Sequence, residues 1–327
     1  MPRLGIVGAT GIVGQELLAL ISDSKFADKP PKLAASSKSA GAKLDSAWGR
    51  LEVESVSERF FSQLDFCFFC VEPQVSQNWI PRALAKNVVC VDNSSAYRMN
   101  AAVPIVIPEV NGRILETRPQ LIANPNCSTA QLTVALNPIH QAFGLKNVFV
   151  STYQSVSGAG FEALKQLYAE AQSFSDAEAD VEYEYFFNVR PLIGGCDQEG
   201  ICQEELKIIQ ETRKILEQPE LPIAVTTARV GVPRSHCQAV TFVTEKDCTV
   251  ERLSTVLAEA ENIVVTDDPV QLYPGMCSGR NTVSVGRIRA NKYHQDKSFS
   301  IWVSADNLRK GAAHNALSIV ETWCGVK

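Results

Sequence analysis

The chain has 327 residues, 45% of them hydrophobic and 20% charged, with a formal net charge of -5 at pH 7. That length suffices for two domains with real cores, and the acidic balance offers no basic footprint for nucleic acid. No apolar run reaches the length of a membrane span, and the start, Met1-Pro2-Arg3-Leu4-Gly5-Ile6-Val7, lacks the pattern of a signal peptide, so the ten cysteines are expected to be reduced thiols of a cytoplasmic protein.

Leu4 to Val7 reads as a buried strand, followed by Gly8-Ala9-Thr10-Gly11-Ile12-Val13-Gly14 and a helix from Gln15 to Ser22. Glycines at that spacing allow a tight turn, close approach of backbone to a pyrophosphate, and close helix–strand packing, with the helix N-terminus facing the phosphates. The second strand ends near Leu33-Ala34-Ala35 and runs into Ser36-Ser37-Lys38. An NAD-binding loop usually carries an acidic residue there for the ribose hydroxyls; serines and a lysine suit a 2′-phosphate, so NADP is the expected dinucleotide. Leu64 to Val71 and Val88 to Val91 read as further buried strands, with a helix around Ser76 to Lys86 between them. This strand–helix–strand alternation predicts an α/β, doubly wound parallel sheet. Cys67 and Cys70 form a C-x-x-C, but inside a continuous apolar run they are expected to be core thiols, and no metal site is expected. Asp92-Asn93-Ser94-Ser95-Ala96-Tyr97-Arg98 then forms a polar loop at the carboxyl end of a strand, where such sheets bind ligands, and Arg98 suits a phosphate or carboxylate clamp.

The stretch Asn124-Pro125-Asn126-Cys127-Ser128-Thr129 precedes a helix from Ala130 to Phe143 and places Cys127 in its first turn, with Asn126 as the cap. Unpaired N–H groups and the positive end of the helix dipole favour a thiolate there, and the thiolate is the nucleophile. The same N–H groups suit a developing oxyanion. A buried structural cysteine is the competing reading of this stretch taken alone.

In the second half, Val148 to Gln154 alternates as a strand and meets the small-residue loop Ser155-Val156-Ser157-Gly158-Ala159-Gly160, then a helix from Phe161 to about Ala171. Ser173 to Glu184 is acidic, lacks a period, and is expected to be an exposed segment. Glu204, Glu205 and Lys207 open a helix running to Leu216, with Glu204 and Lys207 on one face, a spacing that ordinarily means a solvated ion pair. Ile223 to Val232, carrying Arg229, and a strand ending at Val243 flank Pro233-Arg234-Ser235-His236. Of the four histidines, His236 is the acid–base candidate. Glu251 to Ala260 reads as a helix, Phe299 to Ser304 as a strand, and Gly311 to Cys324 as an apolar-faced helix able to close back onto the first domain.

Seven motifs resemble, in order and over nearly the whole chain, the aspartate-β-semialdehyde dehydrogenase family: Gly8-Ala9-Thr10-Gly11-x-Val13-Gly14, Val91-Asp92-Asn93-Ser94, Val106-Ile107-Pro108-Glu109-Val110-Asn111, Asn124-Pro125-Asn126-Cys127-Ser128-Thr129, Tyr153-Gln154-x-Val156-Ser157-Gly158-Ala159-Gly160, Gly286-Arg287-Ile288-Arg289 and Asp306-Asn307-Leu308-x-Lys310-Gly311-Ala312-Ala313. The resemblance implies a Rossmann-like NADP-binding domain over 1–126 and 307–327, and an α+β catalytic and dimerisation domain over 127–306. It implies NADPH-dependent reductive dephosphorylation of β-aspartyl phosphate to aspartate semialdehyde, through a Cys127 thioester. That reaction serves lysine, threonine, methionine and, in bacteria, diaminopimelate biosynthesis. His236 becomes the general acid–base and Gln154 the residue that positions the intermediate. Arg98 and Lys207 become phosphate ligands, Arg229 the α-carboxylate ligand, Glu204 the amino-group ligand, and Asn126 a further substrate contact. Cofactor contacts fall on Gly8, Thr10, Gly11, Ile12, Val13, Ser36, Ser37, Lys38, Ser157, Gly158 and Asn307. The partners are small molecules and a second copy of the chain, as a homodimer or dimer of dimers, with no metal, nucleic acid or membrane.

Two stretches depart from the family pattern: Val71-Glu72-Pro73, where a small glycine-containing segment is usual, and Asn188 to Cys196, which departs from N-x-x-P-x-I-D. An N-acetyl-glutamyl-phosphate reductase is the nearest alternative, disfavoured by Glu204 because an acylated amine carries no charge to pair. A phosphorylating triose dehydrogenase does not match the flanking motifs. A silent paralogue is the alternative from another class, against which Cys127, Gln154, Arg229 and His236 are all present.

Overall fold

The computed structural model describes residues 1–174, 183–292 and 297–326. Residues 175–182, most of the acidic stretch expected to be exposed, lie outside the described residues. The chain divides into two compact units, 1–126 with 312–327, and 127–311.

The first unit contains β1 (Leu4–Val7), α1 (Ile12–Ser22), β2 (Lys32–Ala35), β3 (Lys43–Ser46), β4 (Gly49–Ser55), α2 (Glu58–Phe61), β5 (Phe66–Phe69), α3 (Pro73–Leu84), β6 (Val89–Asp92), α4 (Pro108–Asn111) and β7 (Leu121–Ala123). The strand order is β3-β4-β2-β1-β5-β6-β7. Every neighbouring pair is parallel except β3 with β4 at the edge. Strands buried on both faces read as unbroken apolar runs, and Phe66-Cys67-Phe68-Phe69 is such a run, buried throughout. Cys67 lies in this core, while Cys70, just past the strand, is half-buried. The sheet reverses direction of growth at β1, so the ends of β1 and β5 flank the crevice where doubly wound sheets hold ligands.

Core forms on both sides of this sheet. On one side Leu17, Ile21, Phe66 and Val91 pack with Ala316, Leu317, Ile319 and Val320 of the final helix. On the other, Phe60, Phe61, Phe69, Ile80 and Val88 pack together. The final helix (His314–Cys324) is also tied by Asn315 Nδ2, which donates to Val106 O at 2.9 Å and Asn124 Oδ1 at 2.8 Å.

The second unit contains α5 (Cys127–Phe143), β8 (Leu145–Gln154), α6 (Phe161–Phe174), β9 (Val189–Arg190), α7 (Gln203–Ile215), β10 (Ile223–Val230), β11 (His236–Thr244), α8 (Val250–Glu259), β12 (Ile263–Thr266), α9 (Pro274–Cys277), β13 (Val283–Ala290) and β14 (Ser298–Ala305). Its mixed sheet has the order β12-β13-β14-β11-β8-β10-β9. Along β8, Val148, Val150, Thr152 and Gln154 are buried, whereas Phe149, Ser151 and Tyr153 are exposed, the two-residue period of a strand with unlike faces. Tyr153 stacks on Trp302 on the open face, with ring centroids 5.3 Å apart. Residues 307–311 fall in this unit: Asn307 Oδ1 accepts from Ser235 N at 2.9 Å, and Arg234 Nε donates to Asp306 Oδ2 at 2.8 Å.

Among the described residues no helix is long and apolar enough to cross a membrane, and no group of three or more His, Cys, Asp or Glu side chains is gathered as a metal requires.

Candidate active site

Cys127 is the first residue of α5, as its sequence position before an apolar helix predicts. His236 is the first residue of β11, which pairs with β8 and so lies beside the strand that ends in Gln154. The result is a Cys127 Sγ to His236 Nε2 distance of 3.3 Å. Gly311 permits this placement: a Cβ there would stand 2.8 Å from Cys127 Cβ.

The histidine is fully buried and its far nitrogen is occupied. Ser155 N donates to His236 Nδ1 at 3.0 Å, and Ser155 Oγ lies at the same 3.0 Å. A ring nitrogen that accepts a backbone N–H carries no proton, so in the neutral imidazole the proton sits on Nε2 and faces the Cys127 sulfur. Burial, and then the charge of Arg229, lower the His236 pKa to about 3, against a smaller opposing effect of the Ser235 backbone. His236 is therefore neutral at rest. Beneath it, Asn307 Oδ1 accepts from Ser155 Oγ at 3.1 Å and Ser157 Oγ at 3.2 Å, besides Ser235 N at 2.9 Å. That last bond holds Ser235 at φ 75°, an unusual conformation for a side-chain-bearing residue.

Around this pair the unit gathers charge. Arg229 Nη1 donates to Ser155 O at 2.9 Å, which keeps the guanidinium beside His236. Burial lowers the Arg229 pKa, partly offset by the nearby Cys127 and Glu204. Gln154 Nε2 donates to Glu204 Oε1 at 3.2 Å, so its carbonyl oxygen points elsewhere. Lys207 Nζ stands 3.5 Å from Glu204 Oε2, with Glu204 nearly buried and Lys207 partly open to solvent. The i, i+3 ion pair thus exists, but its acid faces the interior beside Gln154. Gly158 borders the same space, since a Cβ there would meet Arg229 Nη1 at 2.8 Å and His236 Nε2 at 3.2 Å.

The remaining candidates lie in the first unit. Arg98 is buried, with Nε donating to Asn124 O at 2.8 Å and Nη2 to Asn93 O at 2.7 Å. Asn126 is buried and immediately precedes α5. Gly8 has φ 87°, and a Cβ on it would stand 2.2 Å from Cys70 O; a Cβ on Gly14 would stand 2.3 Å from Gly8 O. Gly11 is the cap of α1 and supplies no side chain. Thr10, Ile12 and Val13 are half-buried around this bare turn, a cradle suited to a pyrophosphate. Ser36, Ser37 and Lys38 are exposed in the loop after β2. The departing residue Val71 sits at this crevice, its Cγ1 2.7 Å from the position of a Gly8 Cβ.

Two family models match: the NAD-binding domain of semialdehyde dehydrogenases over residues 3–117, and the dimerisation domain of semialdehyde dehydrogenases over residues 136–310. The class is that of nicotinamide-dependent semialdehyde dehydrogenases. Aspartate-semialdehyde dehydrogenase of Bacillus subtilis (strain 168) is 39% identical over 98% of this chain and 96% of its own length. Its namesake in Aquifex aeolicus (strain VF5) is 37% identical over 98% and 97%. Among solved structures, aspartate semialdehyde dehydrogenase II of Vibrio cholerae complexed with ASA superposes with a TM-score of 0.93 at 33% identity, covering 99% of this chain and 98% of that one. The chain belongs to the aspartate-semialdehyde dehydrogenase family.

Sequence reasoning missed Ser155 and Glu205. Ser155 occupies the unspecified position of its motif because it acts on His236 partly through its backbone, which leaves no side-chain signature. Glu205 anchors the start of α7: its Oε2 accepts from Cys202 N and its Oε1 from Thr227 N, both at 2.9 Å. The acid three residues after the cap was the available signal.

Proposed function

We propose that the chain interconverts β-aspartyl phosphate and aspartate semialdehyde plus phosphate, using NADP(H) and a covalent thioester on Cys127. The observation that carries this reading is the Cys127–His236 contact of 3.3 Å, with buried Arg229, Glu204 and Gln154 in the same unit. The Cys127 thiolate, held at a helix start and facing the Nε2–H of His236, attacks the acyl carbon. The N–H groups of the first turn of α5 suit the oxyanion; one such donor is commonly worth about 3 kcal/mol of barrier. Phosphate leaves as its anion, while the neutral His236 keeps its Nε2–H directed at the Cys127 sulfur. A bound NADPH supplies the hydride that takes the thioester to the aldehyde level. Collapse of the thiohemiacetal on Cys127 then returns the thiolate.

Arg229 is assigned the α-carboxylate and Glu204 the free amino group, the pairing that disfavours an acylated substrate. Lys207 and Arg98 are assigned the phosphate, Asn126 a further substrate contact, and Gln154 the orientation of the acyl group. For the dinucleotide, the bare turn with Gly8, Thr10, Gly11, Ile12 and Val13 suits the pyrophosphate, and Ser36, Ser37 and Lys38 suit a 2′-phosphate. Ser157, Gly158 and Asn307 are assigned to the cofactor as well, alongside their bonds beneath His236. None of these roles calls for a metal. The open sheet face with Phe149 and Tyr153 supports a homodimer, or a dimer of dimers, and ten free thiols support a cytoplasmic setting.

The test is phosphate-dependent reduction of NADP by aspartate semialdehyde, with NAD and N-acetyl-glutamate semialdehyde as parallel arms. Turnover is expected with the first pair, and Lys38→Glu should weaken NADPH more than NADH. Preference for the acylated substrate would overturn the role of Glu204. No turnover in any arm, with a folded chain and reduced Cys127, would overturn the whole reading.

A further inference from the structure

Cys196 and Cys202 face one another as an isolated antiparallel pair. The hydrogen bonds flank this pair instead of joining it: Gln203 N donates to Gly195 O at 2.9 Å, and Asp197 N to Ile201 O at 3.0 Å. Residues paired in that way have Cα atoms about 4.5 Å apart and side chains on one face. A disulfide spans Cα separations of about 4.4–6.8 Å. The intervening loop is tight and already formed: Asp197 Oδ1 accepts from Glu199 N and Ile201 N at 2.9 Å each, and Gly200 takes φ 83°. Both thiols are free, Cys196 exposed and Cys202 buried. Cys202 Sγ lies 3.2 Å from Thr227 Oγ1. Cys196 ends the stretch in which this chain departs from its family's pattern, and Cys202 lies six residues beyond it.

We propose that Cys196 and Cys202 are a thiol–disulfide exchange site that takes a low-molecular-weight disulfide and becomes linked across the strand pair. The exposed Cys196 thiolate attacks one sulfur of the small disulfide, forming a mixed disulfide and releasing one small thiol. Cys202 then attacks Cys196 Sγ, forming the internal S–S bond and releasing the second small thiol. Two protein thiols are oxidised, one small disulfide is reduced, and the two protein protons end on the two released thiols. An exposed attacking thiol beside a sheltered resolving thiol is the arrangement of redox-responsive cysteines, and in a reducing compartment the link is transient.

The link reaches the site described above through α7. Cys202 immediately precedes that helix, and its N–H is held by Glu205 at 2.9 Å. Turning Cys202 Sγ toward Cys196 removes it from Thr227 and moves the residue that stands two positions before Glu204 and is held by Glu205. Glu204 in turn accepts from Gln154. Linkage should therefore displace Glu204 and lower turnover. This consequence rests on the proposed function, whereas the linkage itself does not.

The experiment treats the full-length reduced protein with oxidised glutathione and maps peptides by mass. The expected product is a Cys196–Cys202 linked peptide lighter by two hydrogens, restored by dithiothreitol. A glutathione adduct that persists on Cys196, or an unreacted Cys196, overturns the site. In parallel, turnover should fall with the linked fraction, and Cys196→Ser should resist that loss. Equal loss in Cys196→Ser assigns inactivation to another thiol and overturns the connection to α7. Failure of every turnover assay leaves the mass result readable, so the two proposals fail separately.

Discussion

Helices α1 and α5 each follow a strand and a short turn, and each directs the positive end of its dipole to that point. Before α1 the chain is stripped bare. Gly8 and Gly14 have no room for a Cβ, and Gly11 caps the helix without a side chain. At the start of α5 the first helical residue is a cysteine, and the clearance is provided by a different segment, Gly311. The dipole is common to both, so it selects neither ligand nor chemistry. What differs is whether backbone or side chain is left to meet the anion. A bare turn suits a phosphate that arrives preformed; a loaded turn suits negative charge that develops during reaction.

The strongest way to break this comparison is to unload α5. Cys127→Ala should lower turnover by about 10⁴-fold or more while dinucleotide affinity, read by fluorescence titration, stays near that of the parent. Retained turnover would remove the thiol from its role. Next in size is Gly311→Ala, which forces a methyl to within 2.8 Å of Cys127 Cβ. Misplacing a reacting atom by an ångström costs about 10²-fold, so kcat and the rate of Cys127 alkylation should fall together. An unchanged kcat would mean that the close approach is dispensable. Gly8→Ala loads the other turn, at φ 87° and 2.2 Å from Cys70 O. Strain of roughly 1–3 kcal/mol is expected, appearing as a raised KM for dinucleotide with Cys127 alkylation unaltered. Parallel loss of both properties would contradict the separation of roles.

The remaining effect concerns acid and builds gradually, pH unit by pH unit. Residues 8–14 contain no titratable side chain, whereas α5 begins against His236, whose pKa falls from 6.5 to about 3. Between those values the unfolded chain binds a proton that the folded chain does not, so His236 makes stability fall as pH falls through this window. The slope is about 1.4 kcal/mol per pH unit for one such group. Denaturant unfolding of His236→Gln should lack this component, and identical pH slopes for both proteins would show that the ring is not held neutral.

Much of this was legible from residue pattern. The first strand, the glycine turn and the helix behind it were read almost as they stand, because burial on both faces writes itself as an unbroken apolar run. Cys127 was placed correctly by the turn and the apolar helix around it. The β3–β4 hairpin was not foreseen: its strands alternate exposed and half-exposed residues at a sheet edge, so burial imposes little pattern on them. Nor were β12 and β13 read as strands. The Glu204–Lys207 spacing was ambiguous in sequence, and only its contact with Gln154 shows that the acid faces inward. Ser155 and the Cys196–Cys202 pairing were illegible for a shared reason: each depends on where backbone groups fall, and backbone carries no residue-specific mark.

The return of residues 312–327 to the first unit sets an order in time. Its core lacks Ala316, Leu317, Ile319 and Val320 until residues 312–327 are made. The second unit, 127–311, is one continuous segment. At roughly 5–20 residues per second, synthesis of the intervening segment takes on the order of ten to forty seconds. For that interval residues 1–126 wait with one side of their sheet only partly covered, by α1, while every residue of the second unit becomes available. A chain ending at Gly311 should accordingly be cut by protease within residues 1–126 and resist within 127–311; equal resistance of both would show that the first unit closes without its final helix.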